Sequence, residues 1–379
     1  MQPLVRKRSA FPNFLRAGII EQNPIQQFVS DRPIHYKPAW WIPGAHAQTL
    51  WGKLARRRPL VQTRIERWET PDDDFLEIHR IDAPATVRDD PAAIPHVLLL
   101  HGLEGTIHSH YAQGLLAEMH RRGWSADLLI WRSCGSEPNR ARRFYHSGET
   151  DDLAFVLDRI ALTRPHAPLA VAGVSLGGNI LLKYLGEERE KANALLVAAA
   201  TVSVPFDLGR GSDYINRGFS RLYQKYFLDS LKEKAIEKQS RYPDLPTADR
   251  INAITTLRGF DDTITAPVHG FDDAIDYYTR SSSIRYLHAI TVDTLLLNAV
   301  DDPFLPPDVL ADVSRIAEHN PHLTLDFPRR GGHAGFVGGR NPFHPMYYLE
   351  RRVGDFFADR FANRLANRLA LAARRQVNP

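Results

Sequence analysis

The chain has 379 residues, 43% of them hydrophobic and 10% aromatic, which is ample for a large buried core in one α/β domain with insertions. Its formal net charge of +4 is spread mostly toward the ends, in Arg56-Arg57-Arg58 and between residues 351 and 375, so it reads as solvated surface and predicts no nucleic-acid partner. One cysteine, Cys134, excludes an intrachain disulfide framework and a Cys-based zinc site; with no run of ~18 apolar residues and no apolar signal core in the first sixteen, a cytoplasmic protein is expected.

In chain order, residues 1–35 are mixed and irregular and predict a weakly ordered arm. Residues 36–51 hold Pro38, Pro43, Trp40, Trp41 and Trp51, and are expected to pack across the surface of the following domain without being regular throughout. Together residues 1–60 form an N-terminal segment. Residues 61–68 and 75–81 alternate apolar and polar side chains around Pro71-Asp72-Asp73-Asp74, the signature of a hairpin.

From residue 97 the pattern becomes strand then helix. Short, mostly apolar runs at 97–100, 126–130, 168–172, 193–200, 294–298 and 323–327 predict parallel strands buried on both faces. Helical patterns at 111–122, 151–160 and 180–186 alternate with them, which makes a mostly parallel, doubly wound α/β sheet with right-handed crossovers. Residues 61–204 and 290–379 form this core.

Between 205 and 289 the alternation stops, and helical patterns at 215–238, 248–256 and 271–278 predict a helical cap insertion over the carboxyl ends of the strands. Phe219, Leu222, Tyr223, Tyr226 and Phe227 fall at helical spacing beside Arg221 and Lys225. Most of that stripe is expected to pack on the sheet domain, with part lining an acyl pocket. Residues 348–373, which repeat Asn-Arg-Leu-Ala from Asn363 and again from Asn367, predict one long exposed helix.

The stretch that carries chemistry is Gly173-Val174-Ser175-Leu176-Gly177-Gly178-Asn179. A Gly-x-Ser-x-Gly run between a strand and a helix is the setting of a nucleophile elbow, with Ser175 on a sharp, strained turn. Side chains at Gly173 or Gly177 would collide with the neighbouring helix and strand. The turn aims the Leu176 N–H and the positive end of the helix dipole at the place where an oxyanion would form.

Acyl transfer through a serine also needs a base, an acid to orient it and a second oxyanion donor. His333 sits on a Gly-rich loop, Gly331-Gly332-His333-Ala334-Gly335, after the last strand, and is the candidate base. Asp301-Asp302-Pro303-Phe304-Leu305-Pro306 follows the preceding strand. The Asp-Pro-x-x-Pro pattern favours Asp302 as the acid, and Asp301 stays open as the alternative. His101-Gly102-Leu103-Glu104-Gly105 closes the 97–100 strand and offers the Leu103 N–H as the other donor, with His101 read as a packed structural histidine.

Cys134 reads as a packed thiol, and Ser147 or Thr150 as a cap for the helix beginning at 151. Asp72-Asp73-Asp74 is a turn and Asp272-Asp273 a helix start, so no metal is assigned. No cofactor is expected, because the glycines spell neither Gly-x-Gly-x-x-Gly nor a P-loop.

These motifs together resemble the YheT-like branch of the α/β-hydrolase superfamily, related to the mammalian α/β-hydrolase-domain lipases and esterases. The resemblance rests on residues 37–51, 101–109, 145–150, 173–179 and 298–303 and spans about residues 36–340. It implies an α/β-hydrolase fold, a Ser175/Asp302/His333 triad, an oxyanion site at Leu103 and Leu176, and hydrolysis of a small-molecule acyl ester or lipid. One departure is Ser133, in Arg132-Ser133-Cys134-Gly135, where glycine is the expected residue; it affects loop shape and leaves the triad intact.

A thioesterase or an acyltransferase would share the acyl-enzyme and differ only in the acceptor. A non-catalytic binding protein of the same fold is disfavoured by the complete triad set. Peripheral membrane contact is compatible with the sequence but not indicated by it.

Overall fold

The computed structural model describes residues 36–56, 61–84 and 94–377, with side chains up to residue 366. The expectations for residues 1–35, for Arg57 and Arg58, and for the side chains of the tail lie outside that description.

Helix α1 (Gly44–Leu54) precedes a hairpin of β1 (Arg64–Glu69) and β2 (Phe75–Ile81). Then come β3 (His96–Leu100), α2 (His110–Arg121), β4 (Ser125–Ile130), α3 (Asp151–Thr163), β5 (Leu169–Val174), α4 (Leu176–Glu188), α5 (Glu190–Leu195) and β6 (Ala198–Val202). A helical excursion follows: α6 (Leu208–Ile215), α7 (Ser220–Gln239), α8 (Ala248–Asn252), α9 (Leu257–Phe260), a π-helical turn (Asp261–Thr265), α10 (Ala266–His269) and α11 (Ala274–Ser281). The chain returns through β7 (Thr294–Leu297), α12 (Pro307–Ala317), β8 (Leu323–Asp326), the short β9 (Val337–Gly338) and β10 (Met346–Tyr347), and ends in α13 (Tyr348–Val377).

The large sheet has the strand order β1-β2-β4-β3-β5-β6-β7-β8. Strands β3 to β8 run parallel, and the β1–β2 hairpin adds to β4 antiparallel as one edge. Every residue of β3 to β7 is buried, as the mostly apolar runs require of strands covered on both faces. This is the fold expected from the strand-helix alternation.

Five local expectations need correction. The apolar run at 193–200 is split: its first residues continue as α5 and only Ala198 begins β6. Alanine and leucine favour a helix as readily as this setting favours a strand, and pairing of Ala170 with Ala198 fixes where the strand starts. The helical pattern at 215–238 is broken between α6 and α7, where Gly218 has φ 50°.

Trp40 does not pack on the surface but is 78% exposed, its indole N–H donating to the Arg340 carbonyl at 3.0 Å. Trp41 and Trp51 do pack, edge to face at 4.8 Å. Helix α13 is not exposed along its first half: Tyr348, Leu349, Val353, Phe356, Phe357 and Phe361 are buried in the main core, Phe361 against Trp124 at 5.1 Å.

Thr150 stands at the N-cap of α3 without capping it through its side chain. Glu149 serves there, its Oε1 accepting from the N–H groups of Asp151 at 3.2 Å and Asp152 at 3.4 Å. Burial pushes its carboxyl up to about 7.

Ser133 occupies the left-handed region at φ 62°, where a glycine would be unstrained. Its hydroxyl donates to Asn139 Oδ1 at 2.6 Å and accepts from the Asn139 N–H at 3.3 Å. Glycine would relieve ~1–2 kcal/mol of strain but forfeit bonds worth about as much, whereas alanine would keep the strain and lose the bonds. In urea unfolding, Ser133→Gly is therefore expected to keep the unfolding free energy within about 1 kcal/mol of the parent and Ser133→Ala to lower it by ~1–2 kcal/mol.

Candidate functional site

Ser175 links β5 to α4 with φ 55° and ψ −120°, a backbone conformation L-residues rarely hold, and its N–H donates to the Val202 carbonyl at 2.8 Å. The glycines around it are required by contact. A Cβ on Gly173 would stand 2.5 Å from the Gly177 carbonyl oxygen, and one on Gly177 would stand 2.6 Å from the carbonyl oxygen of His101. Behind the turn, Asn179 Nδ2 donates to the Ser147 and Ser281 carbonyls at 2.8 Å each, and its Oδ1 accepts from the Ser283 N–H at 3.0 Å. Asn179, whose role was not visible in the sequence, joins two segments, at Ser147 and at Ser281 to Ser283, to the elbow helix.

Three N–H groups of the 101–105 loop are tied down. Gly102 N–H donates to the Tyr111 hydroxyl at 2.9 Å, Glu104 N–H to the Tyr145 hydroxyl at 2.9 Å, and Gly105 N–H to the Gly102 carbonyl at 2.9 Å. Leu103, the remaining residue of the turn, lines the same cavity as Ser175 and Leu176. Leu176 opens α4, so its N–H is among those a helix leaves unpaired.

His101 is fully buried. Its Nε2 accepts from the Trp131 N–H at 3.1 Å, so its proton lies on Nδ1 and donates to the Gly102 carbonyl at 2.7 Å. Burial depresses its pKa to about 4 and keeps the ring neutral. It acts as the packed histidine the sequence suggested.

His333 Nδ1 lies 2.9 Å from Asp302 Oδ2 and 3.1 Å from Oδ1. Asp302 is 2% exposed, and its Oδ1 also accepts from the Phe304 N–H at 2.8 Å. Phe304 stacks on the His333 ring at 4.1 Å and lines the cavity that holds Ser175. Asp301 does not touch His333. Its Oδ1 accepts from the N–H groups of Gly331 at 2.8 Å and Gly332 at 2.9 Å, shaping the loop that carries the histidine.

That loop rests on α1. The His333 N–H donates to Thr49 Oγ1 at 2.9 Å, Val337 N–H donates to Gln48 Oε1 at 2.8 Å, and Gln48 Nε2 donates to the Val337 carbonyl at 3.1 Å. From β6, Ser203 Oγ accepts from the Ala334 N–H at 2.9 Å. The role of Gln48 and Thr49 was not visible in the sequence; two polar residues inside an aromatic stretch were its only signal.

The cavity is about 150 Å³ and lies between the carboxyl ends of the central strands and the helices that follow β6. Phe227 and Leu231 from α7 wall one side, and Leu208 and Ile215 from α6 another. Asp261 enters from the π-helical turn, held by the hydroxyls of Tyr278 and Thr265 at 2.7 Å each, with burial raising its pKa to about 6.

The aromatic stripe of α7 is divided. Tyr223 and Phe227 meet Phe304 at 5.0 and 6.0 Å, while Phe219, Leu222 and Tyr226 are 48%, 59% and 54% exposed. Three of the five therefore do not pack on the sheet domain, because one flank of α7 lies on the cavity while Phe219 and Tyr226 on the other meet His46 and Lys53 of α1 at 4.6 and 3.6 Å.

A model of the alpha/beta hydrolase fold family matches residues 95–339. The chain is 39% identical over 322 residues to the Escherichia coli (strain K12) protein named "Putative esterase YheT", covering 84% of this chain and 92% of that one. It is 30% identical over 323 residues to "Phospholipase ABHD3" of Mus musculus, covering 85% of this chain and 77% of the relative. Among solved structures, the Pyrococcus furiosus esterase Pf2001 shares the fold, with a TM-score of 0.51 at 14% identity over 80% of this chain and 92% of that one.

Proposed function

The chain belongs to the α/β-hydrolase fold family and is a hydrolase of its esterase and lipase type, and on that premise we propose that it cleaves carboxylic esters through an acyl-enzyme on Ser175. His333 Nε2 takes the proton from Ser175 Oγ as the oxygen attacks the ester carbonyl. Asp302, bonded to Nδ1, keeps the ring in the tautomer that leaves Nε2 free and steadies the imidazolium that forms. The N–H groups of Leu103 and Leu176 receive the developing oxyanion. His333 returns the proton to the departing alcohol, and a water, deprotonated by the same ring, releases the acid.

The observation that carries this reading is the buried Asp302–His333 pair, joined through Phe304 to a cavity walled by a serine in strained backbone. The relatives' names, an esterase and a phospholipase, support a small acyl ester or lipid as substrate. The test is labelling with a fluorophosphonate probe followed by mapping of the labelled residue. Modification at Ser175 supports the reading, and modification elsewhere, or none, sinks it.

The helices between β6 and β7 are the cap in this scheme, and Phe227 and Tyr223 set how much acyl chain fits beneath it. Phe227→Ala enlarges the cavity directly, and Tyr223→Ala withdraws a ring from Phe304. Both are expected to move the optimum among p-nitrophenyl esters toward longer acyl chains while Ser175 stays probe-reactive. An unchanged chain-length profile in the folded variants would remove the cap from substrate selection.

A further inference from the structure

Glu104 is the residue after the candidate oxyanion donor Leu103, and nothing in the acyl-transfer scheme uses its carboxylate. It holds φ 54°, a left-handed conformation that glycine would adopt without strain, and its side chain is only 5% exposed. The side chain is bonded on every side. Tyr145 donates its hydroxyl to Oε1 at 2.7 Å, and that same hydroxyl accepts from the Glu104 N–H at 2.9 Å.

The other partners come from α7. Ser230 donates its hydroxyl to Oε2, and the Lys234 ammonium lies 2.8 Å from the carboxylate and 3.3 Å from Cys134 Sγ. Ser230 and Lys234 are one helical turn apart, on the helix whose Phe227 and Leu231 wall the cavity. Lys234 lines that cavity too.

We propose that Glu104 is a positioning residue: its clasp on Ser230 and Lys234 couples the seating of α7 over the cavity to the alignment of the Leu103 N–H. The inference rests on the esterase reading above. A buried carboxylate is tolerable only while its cation and donors are in place. With α7 seated, Lys234 and Ser230 hold the Glu104 side chain, and Tyr145 holds its backbone N–H, so the turn from Gly102 to Gly105 has a single arrangement. With α7 lifted, the carboxylate must seek water and the turn relaxes, carrying Leu103 with it. An oxyanion donor displaced by a fraction of an ångström loses most of its effect. Catalysis is thereby confined to the closed cavity.

The test uses the full chain with p-nitrophenyl butyrate and a boronic acid that mimics the tetrahedral intermediate. Glu104→Gln and Lys234→Met are each expected to lower kcat by ~10–100-fold, below the full loss of an oxyanion donor, with KM changed less than about twofold. Boronate affinity should fall by the same factor as kcat/KM. The double variant should be no slower than the worse single, because both remove one linkage. Lys234→Arg, which keeps the charge, should recover most of the rate.

Wild-type kcat in folded Glu104→Gln, losses that multiply in the double variant, or an effect confined to KM would each overturn the coupling. If Glu104→Gln does not fold, Lys234→Met and Ser230→Ala decide it from the α7 side by the same criteria. Fluorophosphonate labelling of the wild type separates the two readings: labelled Ser175 with unaffected variants removes only this inference, whereas no labelling removes the esterase reading as well.

Discussion

Ser175→Ala is expected to lower kcat for p-nitrophenyl esters by ~10⁴–10⁶-fold, leaving only what the oxyanion donors and binding supply. The fold should be indifferent to the change. Alanine adds no atom, keeps the strained backbone at φ 55° and ψ −120°, and leaves the 2.8 Å bond from residue 175 to the Val202 carbonyl in place. Its urea midpoint should match the parent's. Ser175→Gly should be equally inactive yet more stable by about 1 kcal/mol, because glycine takes this conformation without the ~1–3 kcal/mol of strain and gives back only part of that as freedom of the unfolded chain. A dead enzyme more stable than the living one is the sign of strain held for function. Turnover in Ser175→Ala within tenfold of the parent would move the nucleophile elsewhere.

Much of this arrangement was legible because the residues concerned act through local chain geometry. Gly173 and Gly177 announce a turn that no side chain could enter, and the apolar runs that became β3 to β7 have no polar face to offer solvent. His333 could be picked out because glycines flank it after a strand. What stayed hidden depends on contacts between segments far apart in the chain. Thr49 and Gln48 hold the His333 loop across more than 280 residues, and Lys234 reaches Glu104 across 130.

Periodicity also misjudged the C-terminal helix. The 348–373 pattern predicted one long exposed helix, while Tyr348, Phe357 and Phe361 in its first half belong to the main core, Phe361 against Trp124. Spacing places residues on one face of a helix without saying what that face meets. The stripe on α7 failed for the same reason: Phe219, at its N-cap, meets His46, whereas Phe227 meets Phe304.

The sharpest test of the site lies between two adjacent carboxylates. Asp302→Asn is expected to lower kcat by ~10⁴-fold, and Asp301→Asn by less than about tenfold. Asp302 Oδ1 accepts from the Phe304 N–H at 2.8 Å and lies 3.1 Å from His333 Nδ1, while Oδ2 is the nearer oxygen to that nitrogen at 2.9 Å. An asparagine that keeps its oxygen on Phe304 must turn its NH₂ toward the ring. Nδ1 would then accept, the ring proton would sit on Nε2, and the atom meant to take the serine proton would already carry one.

Asp301 makes no such demand. Both its bonds, from Gly331 at 2.8 Å and Gly332 at 2.9 Å, end on the same oxygen, which an asparagine supplies unchanged. Burial also raises the Asp301 pKa, so its ionised form weakens the fold as pH rises from the ordinary carboxylate range through the raised value. Neutral asparagine should therefore be at least as stable near pH 7, with the difference fading as pH falls below about 4, where the aspartate is protonated in both states. Steady-state rates and urea midpoints for the two variants decide the matter. A larger kcat loss from Asp301→Asn than from Asp302→Asn would transfer the orienting role to Asp301 and require the loop from Gly331 to His333 to rearrange in the working enzyme.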